Sequence, residues 1–352
     1  MFTCIWSYTL SQELNQGQLY AGPSEGAIDI DYAKTLNHTL SLVDDFVIKT
    51  NPERFTSFEN LAIYLTQPFE DEQSKVRSIY TWIALNISYD QNSLKTSVKR
   101  NQNAESVWHN RIAVCEGYAN LLSEMCKSVG IESRIVKGYV KNFAGNDFKF
   151  PNHAWNGVKI NGKWQLLDVT WASVNNEGSL LTNKNVNKSI DRHKLDIFFL
   201  VHPNRMILTH LPEDPYWQLQ HNFITMDIFR KGDASIKSTL MNSDADGKNF
   251  EILIDEYERL DSLDKSIAYL ERMEINKLNK VKEYGLGIAY YYKAQKMLRE
   301  ARNNNKYQAI EQAKMYYLKS LDQLSYLGEE DFGYEFSRDL AHNVAFRIET
   351  LQ

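Results

Sequence analysis

An α+β domain followed by an all-helical one is the fold class that this sequence predicts. Three observations carry that reading. Apolar residues recur at helical spacing over 71–89 and again over 114–129. Two alternating runs, 153–160 and 163–171, flank Asn161-Gly162, the strongest short signal for a two-residue β-hairpin. Residues 248–352 hold neither Pro nor Trp, are rich in Lys, Glu, Leu, Ala and Tyr, and read as helix throughout.

Length supports the division. The 352 residues suggest two domains, and composition separates a lead at 1–25, a mixed segment at 26–240 and a helical segment at 241–352. Apolar usage of 43% and charged usage of 24% exclude a wholly disordered chain. No window approaches the run of about eighteen apolar residues that a membrane helix needs. The 40 basic residues against 45 acidic ones give a net charge of -5, whereas proteins that live on a phosphate backbone carry a basic excess. Nucleic acid is therefore excluded as the principal partner.

Taken in order, Met1–Leu10 is apolar and precedes a polar turn of sequence, with no Lys or Arg before Lys34. It reads equally as the back half of a secretory signal or as a loosely docked tail. The first reading expects a secreted or periplasmic protein, the second a cytoplasmic one. The segment 71–89 opens on Asp71-Glu72 and then places Val76, Ile79, Tyr80, Ile83 and Ile87 on one stripe of an amphipathic core helix. A second helix spans 114–129, with Cys115, Tyr118, Ala119, Leu122, Met125, Cys126 and Val129 on its stripe and Gly130 as C-terminal cap. Arg134–Val140 alternates as a strand and leads into the hairpin.

At the join of the two domains, Asn242, Asp244, Asp246 and Gly247 mimic the start of a calcium loop. The twelfth position, a bidentate Glu in such loops, is Leu253. The segment reads as an acidic turn that caps the next helix. Beyond it, helices at 282–301 and 306–325 form a helical hairpin whose Tyr and small-residue pattern is similar to a tetratricopeptide unit.

One constellation carries chemistry. The three cysteines, Cys4, Cys115 and Cys126, fit neither a disulfide framework nor a zinc pattern. Cys126 reads as core packing. Cys115 stands at a helix N-terminus, where the dipole favours the reactive thiolate. In the hairpin, Ile160 faces Lys163, so Trp155 faces Asp168. That makes Asp168 the diagonal same-face neighbour of His153, about 7–8 Å away at the backbone. A thiol, a base and a group that orients the base are the parts nucleophilic catalysis needs. Trp108, His109, Tyr118 and Tyr139 are weaker candidates, for a second oxyanion donor or a cleft wall. His202 and His210, without a nearby Cys or carboxylate cluster, read as packing or loop residues rather than metal ligands. No metal and no cofactor is expected, and no Gly-rich phosphate loop is present.

The residues also resemble a family. V-C-E-G-Y-A-N-L-L at 114–122, N-H-A-W-N-G-V-K-I-N-G-K-W at 152–164 and L-L-D-V-T-W at 166–171 are similar to the core of the transglutaminase-like superfamily. They come nearest its kyphoscoliosis-peptidase-like branch and bacterial relatives. The helix at 76–90 and the trailing stretch at 198–219 match the same pattern. The resemblance covers about 65–230 and omits the C-terminal helices. It implies a papain/transglutaminase-like core over 26–240, with a nucleophile helix packed on an antiparallel sheet. Cys115 would then be nucleophile, His153 general base and acid, and Asp168 the orienter. The chemistry implied is acyl transfer from an amide of a protein or peptide through a thioester. Water as acceptor makes a cysteine peptidase or amidohydrolase, and a lysine amine makes a cross-linking transglutaminase. A non-catalytic peptide-binding scaffold is the rival reading, with the C-terminal helices serving a protein partner.

Overall fold

A computed structural model describes residues 30–95, 100–141, 148–173, 192–241, 249–273, 280–300 and 306–351. The lead at 1–25, with Cys4, and the acidic turn at 242–248 lie outside the described residues. The chain divides into a unit of Met1–Ile135, Trp155–Asn161 and Gln165–Val201 and a unit of Val136–Ala154, Gly162–Trp164 and His202–Gln352.

In the first unit, α1 (Ile30–Lys49), α2 (Phe58–Thr66) and α3 (Glu72–Asn86) are followed by β1 (Ser88–Tyr89) and α4 (Gln91–Lys95). Next come α5 (Ala104–Asn110), β2 (Ile112–Ala113) and α6 (Cys115–Ser128). Asp71 caps α3, its Oδ1 accepting the Ser74 N–H at 2.7 Å. The sequence predicts a single buried stripe on this helix, but the structure buries it on all sides from Val76 to Leu85. The reason is its central position, with α1, α2 and α6 all packed against it. Its buried Arg77 is charge-paired on both sides, to Asp44 through bonds of 2.9 and 2.8 Å and to Asp196 at 2.7 Å. The helix also stops at Asn86, short of the expected 89, because Ser88–Tyr89 pairs in parallel with Ile112–Ala113.

α6 has the limits its sequence announces. Ile131 N–H reaches Cys126 O at 3.0 Å and Gly130 N–H reaches Lys127 O at 3.1 Å, the two bonds of a Schellman cap. A four-stranded sheet follows from β3 (Ser133–Val140), β4 (His153–Ile160), β5 (Lys163–Leu167) and β6 (His210–Pro212), in the order β5-β4-β3-β6. Asn161 and Gly162 both adopt positive φ, 51° and 77°, as a type I′ turn demands. Asn156 of β4 binds α6 directly, its Nδ2 donating to Ala119 O and Ser123 Oγ, each at 3.0 Å.

One expectation fails here. The second hairpin strand was predicted to run to Trp171, yet β5 ends at Leu167 and α7 (Val169–Ala172) begins. Asp168 causes the break. Its Oδ1 accepts the N–H groups of Thr170 at 2.8 Å and Trp171 at 3.1 Å, which is an N-cap and closes a helical turn. α8 (Arg192–Ile197) completes the unit.

The second unit contains α9 (Pro203–Met206), β6, a 3-10 turn at Pro215–Gln218, α10 (Met226–Lys231) and α11 (Asp233–Met241). It continues through α12 (Phe250–Glu258), α13 (Ser262–Arg272), α14 (Val281–Glu300), α15 (Lys306–Ser325) and α16 (Tyr334–Thr350). Asn249 caps α12, accepting the Ile252 N–H at 3.0 Å. α14 and α15 stand where the sequence puts a helical hairpin. They run antiparallel, since Ser320 Oγ bonds Gly287 O at 2.6 Å and Tyr317 Oη bonds Gln295 Nε2 at 2.8 Å. Arg272 ties α13 to the turn after β6. It grips Asp214 through bonds of 3.1 and 2.6 Å, and its guanidinium lies 4.2 Å from the Tyr216 ring and 4.4 Å from the Tyr257 ring.

Candidate active site

The start of α6 is set by what precedes it. α5 ends at Arg111, whose left-handed backbone (φ 54°) turns the chain into β2. The Arg111 guanidinium lies 3.7 Å from the Trp108 ring centroid and 4.9 Å from that of Trp82. Pairing of β2 with β1 then delivers Val114 in an extended conformation, and the helix begins at Cys115. Valine cannot cap with its side chain. Instead Gln102, upstream of α5, accepts the Val114 N–H on Oε1 at 3.0 Å, while its backbone carbonyl accepts Asn120 Nδ2 at 2.8 Å. Gln102 thus braces the first turn of the helix.

Cys115 is half-buried at this positive helix end. The other cysteine of the helix behaves differently. Burial alone pushes the Cys126 thiol up to about 12, so it packs as an inert apolar group. Beside Cys115 lies Tyr89, stacked on Tyr118 with centroids 6.4 Å apart. Burial holds the Tyr89 phenol well above its ordinary range, with smaller contributions in the same direction from nearby Cys115, Asp168 and Asp90.

Asp168 is fully buried, with its backbone N–H donating to Phe198 O at 2.9 Å and Oδ1 committed to its cap. His153 opens β4 and is also buried. The residue before it pins β4 to β3, as Asn152 Oδ1 accepts the Val140 N–H at 2.8 Å and Asn152 N–H reaches Gly138 O at 2.9 Å. His153 and a second buried residue of its unit, His210, each offer a ring nitrogen, and these lie within 4.8 Å of one another. Two imidazoles could contribute to holding a metal ion. They could equally share a proton.

His210 is the residue that sequence reasoning set aside. It lies on β6 opposite Val140 of β3, and its ring is 5.6 Å from that of His153, tilted by 55°. The remaining candidates have other partners. Trp108 belongs to the main core. His109 is exposed and bonds Glu105 at 2.6 Å. Tyr118 is buried with its hydroxyl on Ile87 O at 2.7 Å. Tyr139 packs with Phe148, Leu211 and Phe229. His202 caps α9, accepting the Asn204 N–H at 3.2 Å.

Residues 59–169 match the transglutaminase-like superfamily. The chain is 31% identical over 159 residues to the kyphoscoliosis peptidase of Mus musculus, covering 44% of this chain and 23% of that protein. It is 25% identical over 170 residues to cytokinesis protein 3 of Schizosaccharomyces pombe, covering 44% of this chain and 17% of that one. A solved structure of a TGase is 20% identical, covers 46% of this chain and 42% of its own, and superposes with a TM-score of 0.27. The chain spans less than a quarter of the length of these two curated relatives. The stretch that holds α6, the hairpin and Asp168 is a transglutaminase-like superfamily domain.

Proposed function

We propose that the protein is a thiol-dependent acyl-transfer enzyme acting on amide bonds of proteins or peptides, with water as the ordinary acceptor. Cys115 is the nucleophile, His153 the general base and acid, and Asp168 the group that orients the imidazole. The observation that supports this most is the Cys115 thiol, the only half-buried one among the described residues, which heads α6 in the same unit as the buried Asp168 carboxylate. A carboxylate buried among apolar neighbours is costly unless bonded. Asp168 meets that cost with its cap bonds on one oxygen, so its position is fixed before any substrate arrives.

In this mechanism His153 takes the Cys115 proton and the thiolate attacks the amide carbonyl. The backbone N–H of Cys115, at the positive end of α6, faces the developing oxyanion. Imidazolium then returns the proton to the leaving amine as the C–N bond breaks, leaving a thioester. Water, deprotonated by His153, attacks that thioester and releases the acid and the thiol. The fold domain extends over 26–240, and the helices of 241–352 are a tetratricopeptide-like docking domain for a protein partner.

The test is the rate of iodoacetamide labelling of Cys115 against pH, read by peptide mass, in wild type, His153→Ala and Asp168→Asn. An ordinary thiol, with a pKa near 8.5, is sluggish at pH 6. Rapid labelling at pH 6 that slows in both variants is expected, along with peptide turnover that Cys115→Ala abolishes without changing the melting temperature. An ordinary thiol profile in every variant overturns the proposal and leaves a peptide-binding scaffold. Amine incorporation in place of hydrolysis would move the acceptor from water to lysine.

A further inference from the structure

The turn between α15 and α16 reads G-E-E-D-F-G-Y-E-F over 328–336, and it leaves two large apolar rings in water. Phe332 is 75% exposed and Phe336 54%. Both meet a single ring of α14, that of Tyr284, with centroids 5.5 and 6.5 Å away. An isolated exposed phenyl is ordinary, but three rings in contact, two of them open to solvent, make a patch. The turn fixes them there. Asp331 Oδ2 accepts the Gly328 N–H at 2.8 Å, Asp331 N–H reaches Gly328 O at 2.9 Å and Tyr334 N–H reaches Asp331 O at 3.2 Å. Gly333 has a φ of 78°, and a Cβ there would lie 2.4 Å from Tyr284 Cε2, so its backbone is pressed close to the tyrosine ring.

Four carboxylates, Glu329, Glu330, Asp331 and Glu335, are interleaved with these phenylalanines, and no Lys, Arg or His follows until Arg338. That arginine lies 3.4 Å from Asp339. None of the four acidic residues makes an ion pair among the described residues. The dipole of α16 accounts for Glu335 in its first turn, but it falls off within a turn and gives no reason for Glu329 and Glu330. We propose that this face docks a basic, partly apolar segment of a partner protein, with arginine or lysine side chains against the Phe332 and Phe336 rings and the carboxylates beside them. The inference rests on the reading of 241–352 as a docking domain and gives its partner a chemistry; it does not depend on the roles of Cys115, His153 and Asp168. A cation is drawn to an exposed aromatic face, and unpaired carboxylates supply the complementary charge that steers its approach. The same charge repels phosphate backbones and anionic headgroups, so neither nucleic acid nor a membrane surface fits. With the rings already held by the turn, binding has little ordering left to do.

The experiment uses the full chain and a fluorescein-labelled peptide of alternating arginine and leucine with a central p-benzoylphenylalanine. The control peptide has glutamate in place of arginine. Anisotropy should show binding of the arginine peptide and none of the control. Phe332→Ala combined with Phe336→Ala should weaken binding about tenfold. Glu329→Gln, Glu330→Gln and Glu335→Gln together should weaken it about three- to tenfold and flatten its dependence on salt. All five positions are exposed, so the melting temperature should stay at the wild-type value. Absence of binding to wild type refutes the surface. Equal affinity in wild type and the double phenylalanine variant refutes it too, and marks the binding as charge alone. Photo-crosslinking read by peptide mass separates this inference from the reading beneath it. Adducts within 328–336 or on the start of α14 support the surface. Adducts elsewhere in 241–352 refute it and leave a docking domain, whereas adducts confined to 26–240 refute both. Cys115 alkylation in the same variants should match wild type, and it tests the acyl-transfer reading separately.

Discussion

Gly117 lies in the first turn of α6, two residues beyond Cys115, and its replacement by alanine tests whether the brace around that turn is as tight as the geometry indicates. A Cβ there would sit 2.4 Å from Gln102 Oε1, 2.7 Å from Ala113 Cβ and 2.8 Å from Val107 Cγ2. Carbon atoms in contact settle at about 3.5 Å or more, so Ala113 and Val107 must each give by roughly 0.7–0.8 Å or the helix must lift. Overpacking of this kind costs about 1–3 kcal/mol. Displacing Gln102 from the Val114 N–H adds about 1 kcal/mol, and the better helix propensity of alanine returns about 1 kcal/mol. A net loss of about 1–3 kcal/mol should appear in urea unfolding followed by tryptophan fluorescence, together with a changed Cys115 alkylation rate. Gly130→Ala is the matched control. Its φ is 79° and a Cβ there would meet nothing within 4 Å, so it should cost about 1 kcal/mol from backbone strain alone and leave Cys115 untouched. A Gly117→Ala protein as stable as wild type, with an unchanged alkylation rate, would refute the account of the brace.

Two other perturbations follow from buried charge. Asp44→Ala strips Arg77 of its bidentate partner and of the acceptor for Thr81 Oγ1 at 2.6 Å. Loss of one partner of a buried pair costs about 3–5 kcal/mol, so the urea midpoint should drop sharply and the double change Asp44→Leu, Arg77→Met should recover much of it. An unshifted midpoint in Asp44→Ala would show the pair to be idle. Glu213 differs in sign. Burial raises its carboxyl above the ordinary 4.5, although the Tyr269 hydroxyl donates to it and Lys137 lies near. A raised native pKa means that ionisation costs the folded state. That penalty is absent below the ordinary carboxylate range and grows as the pH climbs through the raised value. Glu213→Gln should accordingly match wild type at pH 4 and be the more stable protein at pH 7, and the reverse order would contradict the burial argument.

Which parts of this site could be read from the chain depends on the range of the physics behind them. The Asn161-Gly162 turn is legible because its chemistry is local, since two positive φ values need residues that tolerate them. The ends of α6 are legible for the same reason, through Gly130 and the apolar stripe. Asp168 shows how a residue can be singled out while the element around it is misread. The alternation of L-L-D-V-T-W extends the strand on paper, while the same aspartate, two residues before a threonine, also satisfies the pattern of a helix cap. The cap prevails because a buried carboxylate gains two backbone donors by ending the strand.

Gln102 and His210 were illegible for a different reason. Gln102 acts through a side-chain bond to one backbone N–H, which leaves no period, spacing or residue-type preference in the sequence. His210 becomes a neighbour of His153 only when β6 pairs with β3, and no local signal announces a contact made by strands so far apart in the chain. Gln102 holds the helix start that presents the thiol, and His210 stands beside the His153 ring. A motif search recovers candidate reactive groups, because the chemistry asked of them restricts residue type. The groups that hold them are restricted only by position, and position is what the fold supplies.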